Sequence, residues 1–187
     1  MDNPVIDAAT AAHIGPVIFG KKPAALFAKP ANWDGRAFYN WSGLRFIILN
    51  RSDGSCGHLR NQLVFAYDQS LLKEALCVAK DALDKEGYDS CSSLTSYLFR
   101  LRKRFLMPGS FPHEVGFFLG YPPEDVIGFI ENKGKGFKLC GFWKVYGDVE
   151  KSTALFKEYS WCRKKLEELV KNGGINSAAE ALASVAM

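Results

Sequence analysis

Apolar residues along this chain fall into blocks whose spacing alternates between the period of a strand and the period of a helix. Leu44-Arg-Phe-Ile-Ile-Leu49 is dense in apolar and β-branched residues and runs into turn residues at Asn50-Arg-Ser-Asp-Gly54, so it reads as a strand. Leu63-Val-Phe-Ala-Tyr67 answers it as a second strand. Leu71, Leu72, Ala75, Leu76, Ala79 and Leu83 then recur on one helical face, with Asp68 or Ser70 as cap and Gly87 as the stop. A further helix over residues 92–107 turns Leu94, Leu98, Leu101 and Phe105 inward and Arg100, Arg102, Lys103 and Arg104 outward, and Pro108-Gly109 ends it. The two helices predict an αα-hairpin lying on the sheet.

The flanks are less regular. Residues 6–13 are rich in helix formers and predict a short helix ending before Gly15-Pro16. Residues 24–28 read as a helical turn or extended chain, and residues 31–43, with Trp33, Tyr39 and Trp41, as an irregular aromatic loop. Val115–Leu119 fits a buried strand and a helical turn equally. Pro122 or Pro123, followed by Glu124 and Asp125, starts a helix that carries Val126, Ile127, Phe129 and Ile130 to a stop at Gly134-Lys-Gly136. Residues 137–146 read as extended. Asp148 or Ser152 caps a last amphipathic helix with Leu155, Phe156, Tyr159, Cys162, Leu166 and Leu169 as its stripe, ending at Asn172-Gly-Gly174. Strands and helices mix without regular βαβ alternation. The expected fold is therefore α+β: a small mixed or antiparallel sheet packed against an αα-hairpin and a C-terminal amphipathic helix. Residues 1–174 are expected to form one domain, with 175–187 as a C-terminal tail.

Composition narrows the function classes. A chain of 187 residues, 48% hydrophobic and 24% charged, is globular and supports one good core. Its net charge of +4 is spread along the sequence, and its basic clusters, Arg100–Arg104 and Arg163–Lys165, fit the solvated faces of helices. That argues against a nucleic-acid reader. Lys21 and Lys22 beside Gly20 hint at an anion contact, although the spacing matches no phosphate-binding loop. Charges, Gly or Pro interrupt every apolar run, so no membrane span is expected. Five cysteines without a C-x-x-C pair, behind an N-terminus lacking a signal-like segment, predict a cytoplasmic protein. Cys56 and His58 are a metal-ligand fragment without further ligands close in sequence.

Candidate chemistry concentrates in residues 111–146. His113 and Glu114 precede the apolar run, and Cys140, Trp143, Lys144 and Tyr146 follow it. His113 and Glu114 suit general acid/base work, Cys140 a nucleophile or a buried structural thiol, and Lys144 an anion contact. If residues 137–146 are one strand, Cys140, Phe142, Lys144 and Tyr146 share a face and Cys140 and Lys144 point into one cleft.

At His113–Val126, Glu131-Asn-Lys-Gly134 and Cys140-Gly-Phe-Trp-Lys-Val-Tyr-Gly147 the sequence resembles a family of small proteins of unknown function from anaerobic, clostridia-like bacteria. The resemblance reaches back to Pro16–Phe27. It implies a cytosolic protein of anaerobes, associated with iron-uptake or flavodoxin genes. Relatives carry Cys where this chain has His13 and Phe142, so an iron–sulfur site held by cysteines alone is not expected here. Three readings follow. One is binding of, or action on, a flat iron-linked or redox cofactor, haem or flavin, by His113, Phe117, Tyr121, Trp143 and Tyr146. Another is a cofactor-free acid/base or thiol enzyme using His113, Glu114, Cys140 and Lys144. The third is a non-enzymatic interaction or regulatory module. The expected partner is a small molecule; metal ligands and oligomeric state stay open.

Overall fold

The computed structural model describes residues 6–51, 61–109, 111–172 and 176–184. Cys56 and His58 lie outside the described residues. An antiparallel sheet of three strands, β1 (Ala24–Pro30), β2 (Arg45–Arg51) and β3 (Asn61–Tyr67), has the order β1-β3-β2. The central strand pairs Phe65 with both Leu26 and Ile47, and β2 carries an irregularity between Ile48 and Asn50. Alternation along the strands divides the core in two. Ala24, Phe65 and Tyr67 join one apolar cluster, and Ala25, Phe27, Val64 and Ala66 join the other.

Helices cover both faces. On the first lie α3 (Gln69–Val78), α4 (Lys80–Leu83), α5 (Leu94–Leu106), the single turn α6 (Val115–Phe118) and α7 (Pro123–Glu131). On the second lie α1 (Ala8–Ile18), α2 (Gly35–Ser42), the C-terminal part of α8 (Val149–Lys171) and α9 (Ala178–Ala183), whose Ala178 and Ala181 are buried. A hairpin of β4 (Leu139–Cys140) and β5 (Lys144–Val145) packs Trp143 and Val145 on Tyr159 of α8 as a third, smaller cluster. The fold is α+β, with the antiparallel sheet between helical layers.

Local chemistry explains most element ends. Asp68 caps α3 by accepting from the backbone of Ser70 and Leu71, and Asp148 caps α8 by accepting from Lys151. The αα-hairpin forms as expected, with its first arm broken into α3, α4 and a wide turn through Gly87.

Three expectations change, and at Val115–Leu119 the open choice between strand and helical turn falls to the helix. Residues 31–43 are not an irregular loop: Asp34 caps α2 by accepting from Arg36 and Ala37, and Phe38, Trp41 and Ser42 are its buried face. The first helix does not stop before Gly15-Pro16 but runs to Ile18, with Pro16 in its last turn. Gly15 sits where the backbone of α8 passes, and an ideal Cβ there would lie 2.5 Å from the Cys162 carbonyl oxygen. Val115–Phe118 is helical, and its end is a Schellman turn in which Gly120 (φ 73°) donates to Phe117 and Tyr121 donates to Gly116. Residues 137–146 are a hairpin folded at Gly141–Trp143, so Cys140 and Lys144 are cross-strand partners.

One carboxylate ties the hairpin to the domain. Asp125 lies in the first turn of α7 with 2% of its surface exposed. Its Oδ1 accepts from the backbone N–H groups of Tyr146 and Gly147, each at 2.7 Å, and its Oδ2 accepts from Trp143 Nε1 at 2.7 Å and Ser152 Oγ at 3.2 Å. The helix N-terminus favours a negative charge here, and the donors satisfy an ion that burial would otherwise penalise.

Asp125→Asn presents an amide N–H₂ to donors on one side, and should cost about 3 kcal/mol of stability in denaturant unfolding. Unchanged stability would show that the carboxylate does not hold the hairpin. Gly15→Ala forces backbone against backbone at the α1–α8 crossing and should cost about 2 kcal/mol, seen as a lowered thermal midpoint.

Candidate functional site

The β4–β5 hairpin, α6, α7 and the segment before α6 border a half-open cavity of about 420 Å³. Its walls come from Leu26, Val115, Leu119, Val126, Phe129 and Trp143, which are apolar for a structural reason. Apart from Phe129, they are the edges of the first core and of the hairpin cluster, left facing each other across the gap that Asp125 fixes. Gly116 lets α6 and α7 close, since a Cβ there would come 2.8 Å from Val126 Cγ2.

Polar groups reach the same cavity from separate elements. His113 lines it from the turn before α6, and Cys140 and Lys144 line it from the two hairpin strands. His113 is exposed, its ring 4.7 Å from Phe129 and 5.7 Å from Phe111. Cys140 is a free, exposed thiol. Lys144 donates to the Gly134 carbonyl at 2.8 Å and lies 4.7 Å over the Phe137 ring, so its ammonium is held at the rim. Half-exposed Phe111 and the exposed Phe142 complete an aromatic border. Tyr121 and Trp143 stack on each other at 4.6 Å and form part of the wall.

Other residues singled out in the sequence lie elsewhere. Glu114 turns into the protein, 2% exposed, where its Oε1 takes Arg104 Nε at 2.7 Å and the Tyr88 hydroxyl at 3.5 Å. Burial, and then the Glu114 charge, raise the Tyr88 hydroxyl's pKa. Phe117 is 1% exposed in the first core. Tyr146 packs against Gly128 on the other side of α7. His113 makes no hydrogen bond to Cys140 or to a carboxylate among the described residues, and no cluster of at least three His, Cys, Asp or Glu side chains suited to a metal occurs among them.

A larger, shallower depression of about 640 Å³ lies between α3 and α5, lined by Arg45, Lys73 and Lys80. Some of its polar groups are already engaged: Ser93 and Ser96 cap α5 reciprocally, and Lys80 pairs with Asp84 at 2.6 Å. It contains none of the candidate residues.

The sequence hinted at a third site only through Lys21 and Lys22, without His13, Tyr159 or Arg163. Lys22, His13, Tyr159 and Arg163 line a pocket of about 210 Å³ that shares Leu26, Leu119, Tyr121 and Phe142 with the main cavity. The sequence signal was the Gly20-Lys-Lys turn, whose partners on α8 lie far along the chain. No described helix is long and apolar enough to cross a membrane.

Comparison with curated proteins and with solved structures finds no match. A family profile described as "Protein of unknown function (DUF3793)" matches residues 10–179, which include every wall of the cavity and of the basic pocket. The chain belongs to the DUF3793 family.

Proposed function

We propose that this protein binds a small, flat, largely apolar ligand in the cavity between α6, α7 and the β4–β5 hairpin, with flavin and haem as the ligand class. The observation that carries the reading is the convergence of His113, Cys140 and Lys144 on one apolar, aromatic-bordered cavity. Ligand sites usually combine such walls with a few polar groups, in volumes of roughly 300–1,000 Å³. For a flavin, Phe129, Phe111 and Phe142 offer ring faces and Lys144 a cation at the rim. For a haem, His113 is the imidazole on the cavity wall. Either group would bring electron-transfer chemistry, while this chain supplies the dry walls and the polar rim. A cytoplasmic location and a role in anaerobic, iron-linked metabolism belong to the same reading.

A cofactor-free thiol enzyme is the second reading, favoured by the exposed Cys140 thiol facing Lys144 across the hairpin. It loses Glu114, expected to do acid/base work beside His113, because Glu114 is committed to Arg104. The two readings differ in what His113 does.

Protein purified anaerobically and titrated with haemin and with FMN should give a saturable Soret or flavin-band shift at one equivalent for at least one of them. His113→Ala should weaken haemin binding at least tenfold and leave the unfolding midpoint nearly unchanged, since the side chain is exposed. No saturable change with either ligand would overturn the proposal. Turnover of a thiol-reactive substrate, abolished by Cys140→Ser in the colourless protein, would establish the second reading instead.

A further inference from the structure

The turn after α1 delivers Lys22 to a pocket where positive charge gathers. Both Lys21 and Lys22 donate their backbone N–H to the Pro16 carbonyl, at 2.8 and 3.0 Å, which fixes the turn. The Lys22 ammonium lies 5.1 Å from the Tyr121 ring and 5.8 Å from the Tyr159 ring. Arg163 enters from α8, its guanidinium carbon 5.6 Å from the Phe142 ring, and His13 enters from α1. Among the described residues, no acidic side chain lines the pocket. The carboxylates nearest in the charge balance are engaged outside it: Glu158 pairs with Lys21 at 2.9 Å, and Asp7 pairs with Lys29.

This arrangement opposes the fold. Burial, then repulsion from Arg163, push the Lys22 ammonium down to about 8. Burial, then Arg163 and Lys22, lower the His13 imidazole as well. Tyr121 and Tyr159 are raised by burial, so Lys22 is the group facing this pocket that titrates just above neutrality. The buried Glu114, by contrast, is neutralised by Arg104. Here basic groups face a void that borders the ligand cavity, with Tyr121 and Phe142 lining both.

We infer that the pocket of Lys22, Arg163 and His13 is an oxyanion site, which takes the carboxylate or phosphate group of the ligand whose apolar body fills the adjoining cavity. The oxyanion site stands on its own geometry; its assignment to that ligand rests on the function proposed above. The anion supplies the counter-charge that Lys22 lacks, and Tyr121 separates the ligand's charged end from its apolar body.

Two probes separate these parts. Sulfate, ionised at every pH used, should raise the thermal midpoint of the whole protein saturably beyond the salting effect. That excess should vanish in Lys22→Met and Arg163→Gln and persist in Lys135→Met. Lys22→Met should itself fold at least as stably as the parent in chloride, because it removes the unpaired charge. Sulfate affinity should fall about tenfold between pH 7 and pH 9 as Lys22 loses its proton. An excess that is absent, or that survives in Lys22→Met, overturns the oxyanion site. FMN and riboflavin, which differ only in the phosphate, test the assignment. FMN should bind at least tenfold tighter, with the gap closing in Lys22→Met, and equal affinities would overturn it. Sulfate binding with no binding of either flavin would leave the oxyanion site standing and count against the flavin reading of the cavity.

Discussion

A single buried carboxylate seats the part of the protein that makes a cavity possible. Asp125 receives donors from the hairpin backbone, from the Trp143 indole and from Ser152 at the start of α8. An ion so deeply buried is stable only with its lone pairs filled, so the hairpin cannot drift from α7 without exposing an unpaired charge. Holding Trp143 there also stacks it on Tyr121 and sets its edge against Phe156 at 4.5 Å. The hairpin has little backbone pairing of its own, and its position is set by these contacts.

The same constraint divides polar residues by role. Glu114 and Asp125 are satisfied carboxylates that join elements, and their donors account for them. Lys22 and Arg163 lack that internal account: among the described residues neither has an ion-pair partner within 4 Å, although they face one pocket. Groups that the fold does not use, placed at the border of an apolar void, are where the ligand reading and the oxyanion site meet. Tyr121 and Phe142 belong to both walls, which makes the two voids neighbours.

Much of the architecture was legible because the spacing of apolar residues matched the burial they achieve. The strands β2 and β3 and the helices α3, α5, α7 and α8 follow from period and capping residues. The helix α2 was hidden because Trp33, Tyr39 and Trp41 resemble a loop, whereas the decisive signals are the Asp34 cap and the left-handed Gly43. The hairpin was hidden because Gly141-Phe142-Trp143 carries none of the Asn-Gly or Asp-Gly chemistry of a tight turn, and the alternation continues on paper through the fold. At the site, the closeness of His113, Cys140 and Lys144 could be guessed from their crowding in sequence. The inward turn of Glu114 could not, because it depends on Arg104 and Tyr88, and the meeting of Lys22 with Arg163 depends on the close α1–α8 crossing at Gly15.

The most direct test of the ligand cavity is a residue-resolved amide NMR titration of the intact protein with FMN and, separately, haemin. The account predicts that perturbed amides cluster in residues 111–121 and 139–146, extending to Lys22 and Arg163 for the anionic end. Perturbations confined to the depression between α3 and α5, or none that saturate with either ligand, would contradict it.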